Sequence, residues 1–375
     1  MGELEFLKNC NEVYIVGNQS RGRTFKCYLN LLFPHIKIIA FLVDNVDVAT
    51  VERVPVMLLD SVKPKEGERE IPVYIATGIA HHNTIISKLT YNGFKTIRPI
   101  TPTVDNEFRT EYARRRFIGK GWKLNMIDDL ATQSRGTKAA KEYDNGVTFA
   151  VYCANSDHDT PLEKPYVYPD YEHPIHVGAS LARRRLPGCI LMDNLGNNIS
   201  DKNIQYCELT ALYWAWKHSD ADYIGISHYR RHFILPDNWQ QIVIDKSIDI
   251  IMPVPTTVTP SVEHNYFARH GIEEWESMMQ IFLEYGVREK ETVEKIFSDT
   301  MYFPCNMFIM RREILDDLCE WMFPILDRIV CEVGRKPDPY LNRYPGFISE
   351  RLISVYIITN MFRYNILYAN KDFLK

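Results

Sequence analysis

The sequence predicts a two-domain α/β protein, and three observations carry that prediction. Its 375 residues amount to two domains at about 150 residues each. Short β-rich runs alternate with helical stretches over residues 1–110, as parallel strands with crossover connections require. A second series of apolar strands opens near Val147, after a loosely patterned, charged stretch. Apolar residues at 46% and charged residues at 25% exclude a disordered or fibrous chain. Lys and Arg number 44 against 48 Asp and Glu, a net charge of −4, which excludes a global positive field for nucleic acid. Any basic site is local.

In the first domain (1–110), strands are expected over 13–16, 36–43, 73–76 and 96–100, with helices reaching Phe33 and spanning 81–91. That alternation is Rossmann-like. The turn Gly17-Asn18-Gln19-Ser20-Arg21-Gly22 keeps two glycines of G-x-G-x-x-G but lacks the middle one, which lets backbone approach a pyrophosphate. Asp44 stands where a ribose-binding acid would, and Asp44-Asn45 is equally a turn signal. A structural or partner-docking role therefore outweighs nucleotide binding. Residues 111–145 read as a linker or helical connector, with Arg114-Arg115-Arg116 a solvated face. The second domain is 146–375.

Eight cysteines without a C-x-x-C pair suggest neither a zinc ribbon nor a disulfide framework, so the chain reads as reduced and cytoplasmic. No window approaches the ~18 apolar residues of a membrane span. Contact with a membrane is expected only peripherally, at its inner face.

The densest chemistry lies in residues 193–233. Ser200 is a fitting N-cap for a helix running to His218, with apolar residues near helical spacing. A strand over 223–227 then delivers His228, Tyr229, Arg230 and Arg231 at its C-terminal end, where open α/β sheets hold ligands. Two guanidiniums and an imidazole suit a diphosphate, because the planar fork fits phosphate oxygens bidentately. Strict alternation would send the two arginines to opposite faces, so a loop is expected from His228 onward. Asp157-His158-Asp159 and Asp220-Ala221-Asp222 match D-x-D, but their placement favours turns or caps over metal binding. Tyr213 and Trp214 depart from the apolar stripe and could stack on a ligand. Glu208 faces either solvent or a buried arginine. Near Ser349 a further helix starts, and Glu350 there could serve as the carboxylate that glycosyl transfer needs.

Several long motifs in fixed order resemble a bacterial domain of unknown function from capsular and exopolysaccharide biosynthesis, whose members are read as glycosyltransferases. They are HPIHVGA (173–179), DNLGNNIS through YCELTALYWAWKH (193–218), YIGISHYRRHF (223–233), the Tyr266 and His270 pair, NMFIM (306–310) and GFISERL (346–352). The resemblance covers about 147–370. It implies a GT-A-like C-terminal domain that moves sugar from a nucleotide-sugar donor, expectedly a UDP-sugar, to an oligosaccharide or lipid-linked glycan. On that reading His228, Arg230, Arg231, Asn198, Lys202, Asn203 and His270 bind the donor, while Glu350 or Asp193 acts on the acceptor or sugar. Cationic side chains would replace the metal of D-x-D enzymes; manganese or magnesium is the alternative. No nucleic-acid partner is expected, and self-association is compatible with the reading. Where the family carries a His-Lys pair after the opening strand, this chain has Asn155-Ser156-Asp157-His158. The rival functions are a non-catalytic nucleotide-sensing or assembly module of a polysaccharide complex and, less well supported, a dinucleotide-dependent oxidoreductase.

Overall fold

A computed structural model describes residues 2–134, 146–284 and 290–374. The chain divides into two units, Met1–Lys123 with Thr257–Thr259, and Leu124–Thr256 with Pro260–Lys375.

The first unit holds β1 (Glu12–Val16), α1 (Ser20–Leu32), β2 (Lys37–Val43), β3 (Val54–Leu58), β4 (Val73–Ile75), α2 (His82–Asn92), β5 (Ile97–Pro99) and α3 (Pro102–Ile118). The strands form a sheet ordered β3-β2-β1-β4-β5, all parallel, with the two-residue strand Thr50–Val51 added antiparallel at the β3 edge. Parallel strands buried by helices read as unbroken apolar runs, and β1 accordingly buries Val13 to Val16. Tyr14, Val16, Leu42, Ile75 and Leu89 meet in one core cluster. Gly22 is required where it stands: a Cβ there would lie 1.9 Å from the Gly17 carbonyl oxygen.

The expected connector, 111–145, is not one piece. Its first residues are the last turns of α3, started by Thr101, whose side chain accepts from the Val104 N–H, and by Pro102 at the first turn. Tyr112, Ala113 and Phe117 of α3 are buried. Residues 124–134 belong to the second unit, with α4 (Ile127–Ser134). Residues 135–145 lie outside the described residues.

The second unit is built on a mixed sheet. Its strands are β6 (Phe149–Asn155), β7 (Glu172–His176), β8 (Leu191–Met192), β9 (Tyr223–His228), β10 (Arg231–Ile234), β11 (Ile250–Pro253), β12 (Phe308–Arg311) and β13 (Ile366–Phe373). They are ordered β10-β13-β11-β12-β9-β6-β7-β8. β6 to β9 run parallel, and β12 enters antiparallel beside β9. Every residue of β9 is buried. The close approach of β12 demands Gly225, since a Cβ there would sit 2.7 Å from the Phe308 carbonyl oxygen.

Two helices differ from expectation. The stretch 200–218 is broken into α5 (Asn203–Tyr206) and α6 (Leu209–His218) by Cys207, at φ 50° and ψ −128°. Ser200 does not cap it; its hydroxyl bonds Asp193 instead. The later helix, α8 in order after α7 (Arg312–Val333), spans Tyr344–Asn360 and starts five residues before Ser349. Pro345 sits in its first turn, where a missing N–H costs nothing. Glu350 therefore stands in the second turn. No helix of the described residues is long and apolar enough to cross a membrane.

Candidate functional site

β9 continues through His228 and turns back at once, so that His228 pairs with Arg231 and only Tyr229 and Arg230 form the turn. Tight reversal, rather than the loop expected from His228, sends the adjacent arginines different ways. Arg231 lines a cleft of about 130 Å³. Arg230 does not line it: its Nη2 donates to the Thr160 carbonyl at 3.2 Å, and its charge acts on Asp159.

Four segments build the cleft: Cys207-Glu208 at the helix break, the hairpin residues His228 and Arg231, Cys305, and the start of α8 with Arg343, Phe347 and Glu350. The backbone is strained where they meet. Cys207, Cys305 and Asn306 have φ of 50°, 72° and 49°, conformations that cost of order 1–3 kcal/mol each and persist where the surroundings impose them. Asn203 imposes the first, with its Nδ2 donating to the Cys207 carbonyl at 2.8 Å and to Thr210 Oγ1 at 3.0 Å. Asn306 is buried and fully engaged. Its Nδ2 donates to Glu208 Oε1 (2.8 Å) and the Gly346 carbonyl (3.0 Å), and its Oδ1 accepts from Ser349 (2.9 Å).

Glu350 receives the Cys305 N–H on Oε1 and Arg351 Nη1 on Oε2 at 2.7 Å. Burial pushes its carboxyl above the ordinary value, against the opposing pull of Arg351 and the Cys305 N–H. Burial likewise pushes the His228 imidazole down, although Glu208 lies 4.0 Å away. A neutral His228 donates from Nε2 to the Cys305 carbonyl, 2.5 Å away. It therefore holds the residue whose N–H orients Glu350. Arg231 sits over the Phe373 ring at 5.4 Å, and Arg343 donates from Nε to Cys207 Sγ at 3.0 Å. Among the described residues neither arginine is ion-paired to a carboxylate. Two such guanidiniums and two carboxylates, Glu208 and Glu350, thus face one small cavity beside the C-terminal end of β9.

The other sequence candidates lie elsewhere. Asp193 is wholly buried and accepts the Gly178 and Ala179 N–H groups (2.8 and 3.0 Å) and the Ser200 hydroxyl; it clasps a loop. Asn198 holds a turn, donating to the Gly196 carbonyl and accepting from the Ser200 N–H. Lys202 pairs with Asp327 at 2.9 Å. Asn203 supports the cleft through Cys207 without lining it. His270 stacks on Phe347 (4.1 Å) and Tyr340 (5.6 Å), and burial with neighbouring Arg351, Arg269 and Lys336 pushes it down to about 3. Its partner ring Phe347 lines the cleft, but His270 does not. Tyr213 packs edge-on against Phe323, and Trp214 donates to the Leu195 carbonyl. Asp159 closes a turn through the Ser156 N–H, and Asp222 accepts from Thr148. Glu208, left between solvent and an arginine, faces the cleft with Asn306 as its partner. Sequence reasoning missed Arg343, Cys305 and Phe347. One signal for Arg343 was available: a cation at a helix N-terminus opposes the macrodipole and needs another reason to be there.

Among the described residues, Cys153, Glu172 and His232 bring three ligand-type atoms within 4.8 Å. Their hydrogen bonds are already spent on each other and their neighbours. Glu172 meets Ser227, Tyr166 (2.9 Å) and His232 Nδ1 (2.8 Å), while His232 Nε2 faces the Tyr229 carbonyl at 3.3 Å. This buried network braces the β9–β10 turn.

A family model described as a domain of unknown function, DUF4422, matches residues 161–361, more than half of the chain. The chain belongs to the DUF4422 family. Every cleft residue falls inside the DUF4422 match. The solved apo structure of WbbM, a bifunctional glycosyltransferase, is similar at a TM-score of 0.52 and 26% sequence identity, covering 61% of this chain. The match spans 45% of the WbbM chain. No curated protein matches the sequence. Family and neighbour together show a DUF4422 member of mixed α/β fold that is similar to part of a glycosyltransferase.

Proposed function

We propose that the second unit is a nucleotide-sugar-dependent glycosyltransferase on a GT-A-like fold, adding sugar to an oligosaccharide or lipid-linked glycan in capsular or exopolysaccharide synthesis. The observation that carries this reading is the pair Arg231 and Arg343, without carboxylate partners, facing Glu208 and Glu350 in one cleft. Departure of a nucleoside diphosphate concentrates negative charge on its phosphates, and preorganised cations in a partly dry site stabilise that charge best. Arg231 and Arg343 supply them, in place of the Arg230–Arg231 pair that the sequence suggested and in place of a metal. The sugar, cationic in the transition state, lies against Glu208. Glu350 accepts the proton of the acceptor hydroxyl, its carboxylate aimed by the Cys305 N–H, which His228 positions in turn.

Incubation with a panel of UDP-, GDP- and dTDP-sugars, with release of the free nucleoside diphosphate as the readout, tests the proposal. One donor is expected to be turned over, with EDTA leaving the rate unchanged. Binding without turnover of any donor would favour the sensing or assembly module; loss of activity in EDTA restored by manganese would overturn the metal-free reading.

A further inference from the structure

The loop between β7 and β8, residues 177–190, does not line the cleft. Its base is fixed: Asp193 takes the Gly178 and Ala179 N–H groups, Ser200 Oγ the Ser180 N–H, and His176 Nδ1 the Leu186 N–H at 3.2 Å. Cys189 is buried, and Arg185 is spent on the loop's own carbonyls at Cys189 and Ile190. What the pinned loop shows to solvent is unusual. Leu181 is 47% exposed and Ile190 82% exposed, and between them Arg183 and Arg184 are exposed with neither hydrogen bond nor ion pair among the described residues. From 173 to 192 the chain carries no Asp or Glu, and the acids at either end, Glu172 and Asp193, are buried.

Exposed aliphatic side chains flanking uncompensated arginines fit a partner that is both negatively charged and apolar just beneath its surface. We propose that this loop docks the protein on an anionic lipid surface, Arg183 and Arg184 meeting lipid phosphates while Leu181 and Ile190 enter the acyl boundary. A soluble polyanion would take the arginines but offer nothing to Ile190. Asp193, Ser200 and His176 pin the loop's base and its Leu186 N–H, so these groups project from an anchored loop. The inference does not rest on the proposed enzymatic activity.

Co-sedimentation of the full chain with vesicles tests it, using phosphatidylcholine alone and phosphatidylcholine with phosphatidylglycerol at low and high salt. Binding is expected only to the anionic vesicles and is expected to weaken with salt. Arg183→Gln with Arg184→Gln should reduce partition roughly 25-fold. Leu181→Ser with Ile190→Ser should reduce it at least about tenfold, and that loss should persist at high salt. All four positions are exposed, so both variants should keep the parent's melting temperature. Absence of binding to anionic vesicles at low salt overturns the proposal, as does equal binding by parent and the Gln variant. Full retention of binding by the Ser variant, with heparin competing completely, overturns it in favour of a soluble polyanion.

Discussion

The C-terminal end of the first unit's sheet and the cleft of the second unit both follow parallel strands, yet their polar groups are disposed in opposite ways. In the first, Arg21 donates to the Thr77 carbonyl, Arg23 to the Asn18 carbonyl, and Lys88 pairs with Asp44 at 2.8 Å. Its left-handed backbone at Gly17 is borne by a glycine, and Glu52 and Arg53 take positive φ only to close a two-residue hairpin. In the second, cysteines and an asparagine carry the strain, two arginines lack carboxylate partners, and burial moves His228 and Glu350 from their ordinary ionisation. Among the described residues, strain and unpaired charge coincide at the second unit's cleft and not at the end of the first unit's sheet. Such coincidence costs stability, and it supports the ligand site proposed for the cleft.

The largest expected effect sharpens that contrast. Arg231→Ala and Arg343→Ala should each lower turnover by about 10²–10³-fold with melting unchanged, whereas Arg21→Ala in the first unit should leave turnover at the parent's level. Equal rates for all three would erase the distinction. Next comes the difference between the two carboxylates singled out in the sequence. Asp193→Ala removes the acceptor of three hydrogen bonds and should destabilise the fold by about 2–4 kcal/mol, visible in urea unfolding, while sparing kcat of the folded fraction. Glu350→Gln should do the reverse. Gly22→Ala forces a Cβ against the Gly17 carbonyl and should cost about 1–3 kcal/mol, yet leave donor binding at the cleft intact.

The smallest effect is a pH dependence. Because burial holds His228 below its ordinary value, the unfolded chain binds a proton that the folded chain resists once pH falls below about 6.5. Its contribution is therefore full above that pH and is lost as pH falls towards the depressed value. Urea unfolding between pH 8 and 5 should show this loss in the parent and a shallower one in His228→Asn. Parallel slopes would mean that His228 is not held neutral.

Much of the architecture was legible because it rests on local pattern. Alternating apolar runs and helical stretches announced β1, α1, β2, β4, α2 and β5, and the Tyr223 strand emerged where the apolar run ended. The cleft was only partly legible. His228, Arg231 and Glu350, singled out from charge at element ends, line the cleft, but the two-residue turn that separates Arg230 from Arg231 is set by pairing across β9 and β10. The break at Cys207 is held by Asn203 from the preceding turn and looks in sequence like continuous helix. Asp193 drew notice as an acid in a dense motif, whereas its partners are backbone N–H groups fourteen and fifteen residues away. Arg343 reaches Cys207 across 136 residues, a distance no periodicity reports.

Calorimetric titration of UDP into the parent and into Arg230→Ala, Arg231→Ala and Arg343→Ala addresses the two-arginine cleft most directly. Binding should weaken at least about tenfold in the Arg231 and Arg343 variants and stay near the parent's in the Arg230 variant. Loss of binding in Arg230→Ala, with Arg231→Ala and Arg343→Ala unaffected, would contradict the assignment.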